Sequence, residues 1–326
     1  MAKRRAKRMK QIQPSVQRLW FRISNKSGFN YIDLSLAASA ANRRFYRQGT
    51  TWAVGGMALH TTSAVGTVTV SKIPDTWVAK NSHTKAKSLW MKSQDQVLDN
   101  DESVASKYRD FKIYLDNKMV GASAQAVDAA AQDGEIALPI DSEGAVAKIG
   151  EWEYSTIQLP NDGGSLAPTE ITLHMVGADD GDSRGIIQGY SSSRSRPQRH
   201  EPNVPSQIGW MNDVFNVADN LDEIREDLAT QNDIPPYRVG DLNSTVPGQD
   251  LTFYPGSENN MPHAALHDMQ GISTTTIGGK THINGGMFGC GLIKFDFDMT
   301  TQSSDDMYLI IDLVPGDYKG YLTEVY

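Results

Sequence analysis

The chain has 326 residues, 39% of them hydrophobic, and a formal net charge of −8. A chain of this length buries a substantial core without external staples, and its single cysteine, Cys290, excludes both an intramolecular disulfide framework and a cysteine-based structural zinc site, which suits a reducing compartment. The longest apolar run, Met307 to Val314, is interrupted by Asp312 and falls far short of the roughly 20 residues of a membrane helix, while the basic run from Lys3 to Lys10 leads into Gln11 and Gln13 rather than into the apolar stretch of a secretory signal.

The modest total conceals a separation of charge. Residues 1–47 hold twelve Lys and Arg against the single acid Asp33, a net +11, so the rest of the chain carries −19. A basic end on an acidic body is the arrangement expected where one surface meets a polyanion and the rest stays soluble. Residues 1–15 are too charged and too poor in large apolar groups to pack, which predicts a disordered arm. Within it, Lys3, Arg4, Arg5, Lys7, Arg8 and Lys10 are the candidate nucleic-acid contacts. Order is expected to begin near Arg18. In Arg18-Leu19-Trp20-Phe21-Arg22-Ile23 the period of two puts Leu19, Phe21 and Ile23 on one face of a strand. Arg18, Trp20 and Arg22 then share the other, where an aromatic ring between two cations suits base stacking and phosphate contact; a half-exposed strand with snorkelling arginines has the same pattern.

From Asp33 the period changes to that of a helix. Leu34, Ala38, Ala41 and Phe45 repeat at helical spacing behind a capping Asp33, with Arg43, Arg44 and Arg47 expected in the last turns and Gly49 as the closing residue. Strands are expected at 51–60 and 66–73, and a second helix near 81–99 with Ala86, Leu89, Trp90, Val97 and Leu98 as its stripe. Short β segments follow at 111–115, 135–140, 153–159 and 169–176, each bounded by Gly, Asp, Asn or Pro, a spacing that predicts a sandwich or barrel rather than βα units. Residues 177–205 read as exposed loop with a short strand at 186–190, and 206–230 as an acidic helix stopped by Pro235-Pro236. The alternation of Ile293, Phe295 and Phe297 with Lys294, Asp296 and Asp298 predicts a strand. With Met307 to Val314 it is expected to form a terminal hairpin, the second member centrally buried.

Motifs of catalysis are incomplete. Gly279-Lys280-Thr281 looks like the end of a phosphate loop, but Thr274 stands where that motif needs glycine and no helix is expected after it. His263 and His267 have the spacing of helical zinc ligands, yet Pro262 and Gly271 bound an irregular segment. Asp179, Asp180 and Asp182 match no established calcium loop and read as a solvated turn, and Arg194, Arg196 and Arg199 as an exposed loop. No enzyme, metal or cofactor is expected.

The segments Ala41-Asn42-Arg43-Arg44-Phe45-Tyr46-Arg47-Gln48-Gly49, Ile73-Pro74-Asp75-Thr76-Trp77-Val78 and Leu313-Val314-Pro315-Gly316-Asp317-Tyr318-Lys319-Gly320-Tyr321, with the basic start and Asp233-Ile234-Pro235-Pro236-Tyr237, resemble capsid proteins of small circular single-stranded DNA viruses. The resemblance implies an all-β jelly-roll sandwich that self-assembles into an icosahedral shell around a nucleic-acid genome, expected to be single-stranded DNA, with the basic arm facing inward. It implies residence in the virion, and in the host nucleus or cytoplasm during assembly. The expected organisation is therefore a nucleic-acid-binding arm at 1–15 and one jelly-roll capsid domain at 16–326, with helical insertions near 81–99 and 206–230 and no membrane contact. Genome contacts fall to Lys3, Arg4, Arg5, Lys7, Arg8, Lys10, Arg18 and Arg22. Two rivals share these features: a nucleic-acid-binding protein that forms no shell, and a double-barrel coat protein of a membrane-containing particle.

Overall fold

A computed structural model describes residues 13–23, 28–62, 64–100, 110–124, 134–159, 169–194, 263–275, 277–301 and 307–326. The fold is mainly β, built on two curled antiparallel sheets packed face to face. The first sheet contains β1 (Arg18–Ile23), β3 (Thr50–His60), β11 (Lys280–Phe288) and β13 (Met307–Leu313), in the order β1-β13-β3-β11. The second contains β2 (Gly28–Asp33), β4 (Val65–Lys72), β10 (Ala265–Ile272) and β12 (Leu292–Thr301), in the order β10-β4-β12-β2. Consecutive strands β1 to β4 thus alternate between the sheets, and β10 to β13 return in the mirror sense. Short strands extend the edges: β16 (Thr323–Val325) pairs with the start of β3, while β6 (Glu135–Ile136) runs parallel to β2 and carries β5 (Ser123–Ala124).

Period-two patterning explains why these segments form strands. Leu19, Phe21 and Ile23 of β1 are buried, as are Phe295 and Phe297 of β12, while alternate residues face out. Together with Trp52, Leu59, Phe288, Leu309 and Ile311 they fill the space between the sheets. Each such side chain contributes about 1.5–3 kcal/mol on burial, so the sandwich needs no covalent staple.

The expected terminal hairpin is not formed. β12 pairs with β2 and β4 in the second sheet, whereas β13 pairs with β1 and β3 in the first, so the connection between them crosses the sandwich. Both strands are central, with both edges occupied, as expected of Met307 to Val314, but the expected two-sided burial is incomplete: Leu309 and Ile311 are buried between the sheets, while Tyr308 and Asp312 on the outer face are partly exposed.

The helix after Asp33 is α1 (Leu34–Asn42), capped as expected by Asp33, which accepts from the backbone N–H of Ser35 at 2.9 Å and of Leu36 at 3.2 Å. Its end differs from expectation. Arg43 itself adopts the left-handed conformation, φ 51°, and donates its N–H to the Ser39 carbonyl, so Arg43, Arg44 and Arg47 lie beyond the helix and Gly49 does not close it. Burial of Tyr46 beside Trp52 draws the chain away from the helix axis at this point.

Between β4 and β10 lies a large insertion. It begins with α2 (Trp77–Asn100), four residues earlier than expected because the Thr76 hydroxyl accepts from the Ala79 N–H at 3.2 Å. The short α3 (Asn117–Val120) follows, capped by Asp116. A three-stranded sheet consists of β7 (Thr156–Leu159), β8 (Thr169–His174) and β9 (Ser183–Gly185), and α4 (Ile186–Arg194) leaves it to pack on α2. Three of the strands expected here are not formed as expected. Residues 111–115 form no strand, only one bridge from Tyr114 to His174, and 135–140 supplies only β6 and two further bridges. The strand expected at 186–190 is the start of α4, because Ile186, Ile187 and Tyr190 bury one helical face rather than alternating. The insertion has its own core of Trp90, Phe111, Ile113, Met119, Ile171 and Leu173, continuous with Tyr31 and Leu292 of the sandwich. The helix expected at 206–230 lies outside the described residues.

The chain ends in β14 (Pro315–Gly316) and β15 (Gly320–Tyr321), a small hairpin before β16. Tyr321 donates its hydroxyl to the Val16 carbonyl at 2.7 Å and accepts from Asn42 at the same distance, tying the chain's end to α1 and to the lead-in of β1.

Candidate nucleic-acid interface

The six arm residues Lys3, Arg4, Arg5, Lys7, Arg8 and Lys10 lie outside the described residues. What is described is where the arm joins the body. The Val16 N–H donates to Asn42 Oδ1 at 2.9 Å, Ser15 Oγ donates to the Gly320 carbonyl at 3.2 Å, and Arg44 donates to the Pro14 carbonyl at 3.3 Å. Pro14 and Ser15, which composition assigns to the arm, are thus held by the body.

Arg18 and Arg22 stand with Trp20 on the outer face of the first sheet, as the alternation requires. Arg18 donates two hydrogen bonds to Asp312, Nε to Oδ1 at 2.6 Å and a terminal nitrogen to Oδ2 at 2.9 Å. The Arg18 guanidinium holds the Asp312 carboxyl below its ordinary range, and the pair is close to neutral, so Arg18 offers a polyanion less than a solvated arginine would. Strand pairing then assembles neighbours that sequence proximity does not. Arg22 is opposite Tyr308, Tyr308 opposite His60, and His60 opposite Lys280, giving one row across four strands. The adjacent row is Trp20, Ile310, Ala58 and His282. Trp20 is 41% exposed and stacks on His60 with ring centroids 6.3 Å apart at 22°. Partial burial lowers the His60 pKa, and Lys280 and His282 lower it further. His60, Lys280 and His282 carried no local signal in the sequence; only a correct pairing of β1 with β13, β13 with β3 and β3 with β11 would have found them.

Elsewhere among the described residues, several cationic and nucleophilic groups are already paired or buried. A concavity of about 1190 Å³ is lined by Arg43, Arg44, Phe45, Lys112, Lys148 and Trp152, but Asp110, Glu151 and Glu153 share its walls. At its base the Lys112 ammonium sits 3.3 Å from Asp110 and 4.6 Å from the Trp152 ring centroid. The buried His174 shares a 2.6 Å hydrogen bond with Ser183 and a 3.2 Å bond with the Ala178 carbonyl, which fastens β8 to β9. Cys290 is buried, and desolvation pushes its thiol far above the ordinary value. Asp179 accepts from the Gly185 N–H at 2.7 Å and Asp180 from the Asn117 amide at 3.0 Å. Among the described residues no group of three or more His, Cys, Asp or Glu side chains is placed to hold a metal ion. His267 is on a strand, not a helix: its ring meets the Asn284 carbonyl at 3.1 Å, and Asp268 accepts from the Asn284 N–H at 2.8 Å, so side chains of β10 cover the free edge of β11. Gly279-Lys280 turns directly into β11, with no helix to cradle a phosphate. No helix among the described residues is long and apolar enough to cross a membrane. No protein-family profile, curated protein or solved structure matches this chain.

Proposed function

We propose that this chain is a structural, non-enzymatic coat-protein subunit that assembles with copies of itself into a closed icosahedral shell and packages a nucleic-acid genome, single-stranded DNA, through its basic amino-terminal arm. One observation carries the reading. Numbered along the chain, the eight principal strands of the two sheets take the orders 1-8-3-6 and 2-7-4-5, the alternation expected of a jelly roll folded from two Greek keys. Jelly rolls serve in lectins and cupins as well as in capsids. A run of six cations in the first ten residues, on a body of charge −19 beyond residue 47, favours the capsid use, since phosphate contact is the ordinary task of such an arm. The sandwich supplies a rigid wall, and symmetric closure needs only repeated contacts between identical surfaces. The place of action is the virion, with host nucleus or cytoplasm as the site of assembly.

Electron microscopy of the purified protein tests the shell, with uniform closed particles as the expected result. Absorbance at 260 and 280 nm tests the arm, because particles of a chain starting at residue 13 should be empty or poorly loaded. A protein that stays monomeric at every concentration and ionic strength, with or without nucleic acid, is a binding protein and not a coat subunit.

A further inference from the structure

We propose that the outer face of the first sheet, centred on the Trp20–His60 stack, binds single-stranded nucleic acid and that its grip tightens as its histidines take up protons. The inference deepens the packaging reading above and rests on it.

The face combines the two features that sequence-tolerant single-strand binders use, cations that follow a backbone and an exposed ring on which a base stacks. Arg22 and Lys280 close the two ends of one row, with Tyr308 and His60 between them, and Trp20 and His282 close the ends of the next. Neighbouring strands are about 4.8 Å apart, so each row spans about 14 Å. The acid on this face among these strands is Asp312, and Arg18 already engages it through two hydrogen bonds. Asp268, reaching β11 from β10, is occupied by the backbone N–H groups of Asn284 and Met269. Charge therefore favours an anionic occupant. The ring of Trp20 favours one with planar bases, and β1 is the strand into which the basic arm leads.

Protonation enters through geometry. His60 is faced by Tyr308 from β13, by Lys280 and His282 from β11, and by Trp20 and Arg22 from β1. His282 has Lys280 and Asn284 beside it on its own strand, Ala58 opposite it on β3, and His267 and Asp268 of β10 at Asn284. Without a ligand, Lys280 and His282 oppose a charge on His60. A phosphate seated at Lys280 reverses that balance, so binding and proton uptake reinforce each other.

The test is a fluorescence titration of the full-length chain, kept as free subunits, with an oligothymidylate across a range of salt at about pH 5.5 and about pH 7.5, on either side of the ordinary histidine range. The slope of log affinity against log salt should be steeper at the lower pH by up to about 1.4, or about 0.7 for each histidine. The double variant His60→Gln/His282→Gln should lose that increment and give equal slopes at the two pH values, and Trp20→Ala should bind several-fold more weakly at both. Equal slopes in the parent at the two pH values overturn the proposal, as does an increment that survives in the double variant. Self-association at low pH that the oligonucleotide does not affect also overturns it and assigns the face to a second copy of the chain. None of these readings needs a shell. A chain that shows the increment but never closes into particles overturns the shell reading alone, and loaded particles whose subunits lack the increment overturn this inference alone.

Discussion

Asp33 and Gln48 form a buried joint at which three parts of the molecule meet. One carboxylate oxygen of Asp33 caps α1, and the other accepts the Gln48 amide N–H at 2.9 Å. The same amide group donates to the Ile113 carbonyl at 2.9 Å and accepts from the Ile113 N–H at 2.6 Å. Strand β2, the turn after α1 and the start of the insertion are thereby fixed to one another. Desolvation raises the Asp33 pKa to about 7 against the hydrogen bonds that lower it.

That raised value sets a pH dependence. The folded state holds the proton that an unfolded chain releases near pH 3.9, so the contribution of Asp33 to stability is fully present below about 4 and is lost as pH rises to about 7. The loss is on the order of 4 kcal/mol. Asp33→Asn keeps an oxygen for the cap and cannot ionise. Denaturant unfolding across this range should lose this decline in the variant, whose stability should rise with pH relative to that of the parent.

His83 should act in the opposite sense. It is enclosed between Phe111 and Tyr326, with ring centroids 5.5 and 5.1 Å away, and burial pushes its pKa down to about 4. Its contribution is present above pH 6.5 and is lost as pH falls to about 4. His83→Phe should therefore unfold less readily than the parent near pH 4 relative to its own behaviour near pH 7. Because this window overlaps that of Asp33, the parent's profile is flatter than either group alone would give, and the two single variants should tilt it in opposite directions.

Lys294 on β12 pairs with Asp116 at 2.8 Å, and its ammonium lies 3.9 Å from the Phe29 ring centroid. Both charges are largely withdrawn from water, at 16% and 10% side-chain exposure. Lys294→Met leaves Asp116 buried without its cation, and a loss of about 3–5 kcal/mol is expected in the unfolding free energy. The double variant with Asp116→Asn should recover part of it. Equal losses in the single and double variants would mean that packing of the lysine stem, not the charge pair, carries the effect.

Gly320 has φ 104° and leaves no room for a side chain, since a methyl group there would meet Ser15. Gly320→Ala should release the lead-in to β1 and leave the sandwich folded. Limited proteolysis should cut near residues 13–17 faster than in the parent, while the denaturant midpoint falls by the equivalent of about 1–3 kcal/mol.

Removal of the charges of Lys3, Arg4, Arg5, Lys7, Arg8 and Lys10 together should flatten the salt dependence of single-strand binding by up to about 4 units of slope, about 0.7 for each phosphate contact. Preference among sequences should hardly change, because phosphate contacts carry no base information. An unaltered slope would transfer the binding energy to the sheet face.

Local periodicity carried much of the fold. β1, β3, β4, β12 and β13 were legible because each keeps one face apolar, and α1 because Asp33 precedes an alanine-rich run. What was not legible depended on contacts distant in sequence. Leu292–Thr301 and Met307–Leu313 are close enough along the chain to suggest a hairpin, yet each is held by strands more than 200 residues away. Ile186, Ile187 and Tyr190 fit a short strand until α2 is placed beside them. The end of α1 is not legible in the sequence because no glycine marks it; Arg43 takes the left-handed turn. For the candidate site, the alternation disclosed Arg18, Trp20 and Arg22, but the partnership of Arg18 with Asp312 and the approach of His60, Lys280 and His282 exist only across strands.

The pairing of β1 with β13 also orders events during synthesis. Arg18 and Asp312 are 294 residues apart, so β1 waits for its strand partner until β13 has been made, and before that only the Pro139–Ile140 segment can meet its other edge. Closing so long a loop is slow compared with local folding, and for that interval Leu19, Phe21 and Ile23 lie in an unpaired strand of the kind that drives aggregation. Arg18 precedes that apolar run and Arg22 interrupts it, and the six cations of the arm lie ahead of both. Their repulsion keeps nascent chains apart, the gatekeeping use of charge beside a hydrophobic strand. Charges read above as contacts for a genome thus also protect the strand that must wait longest for its partner.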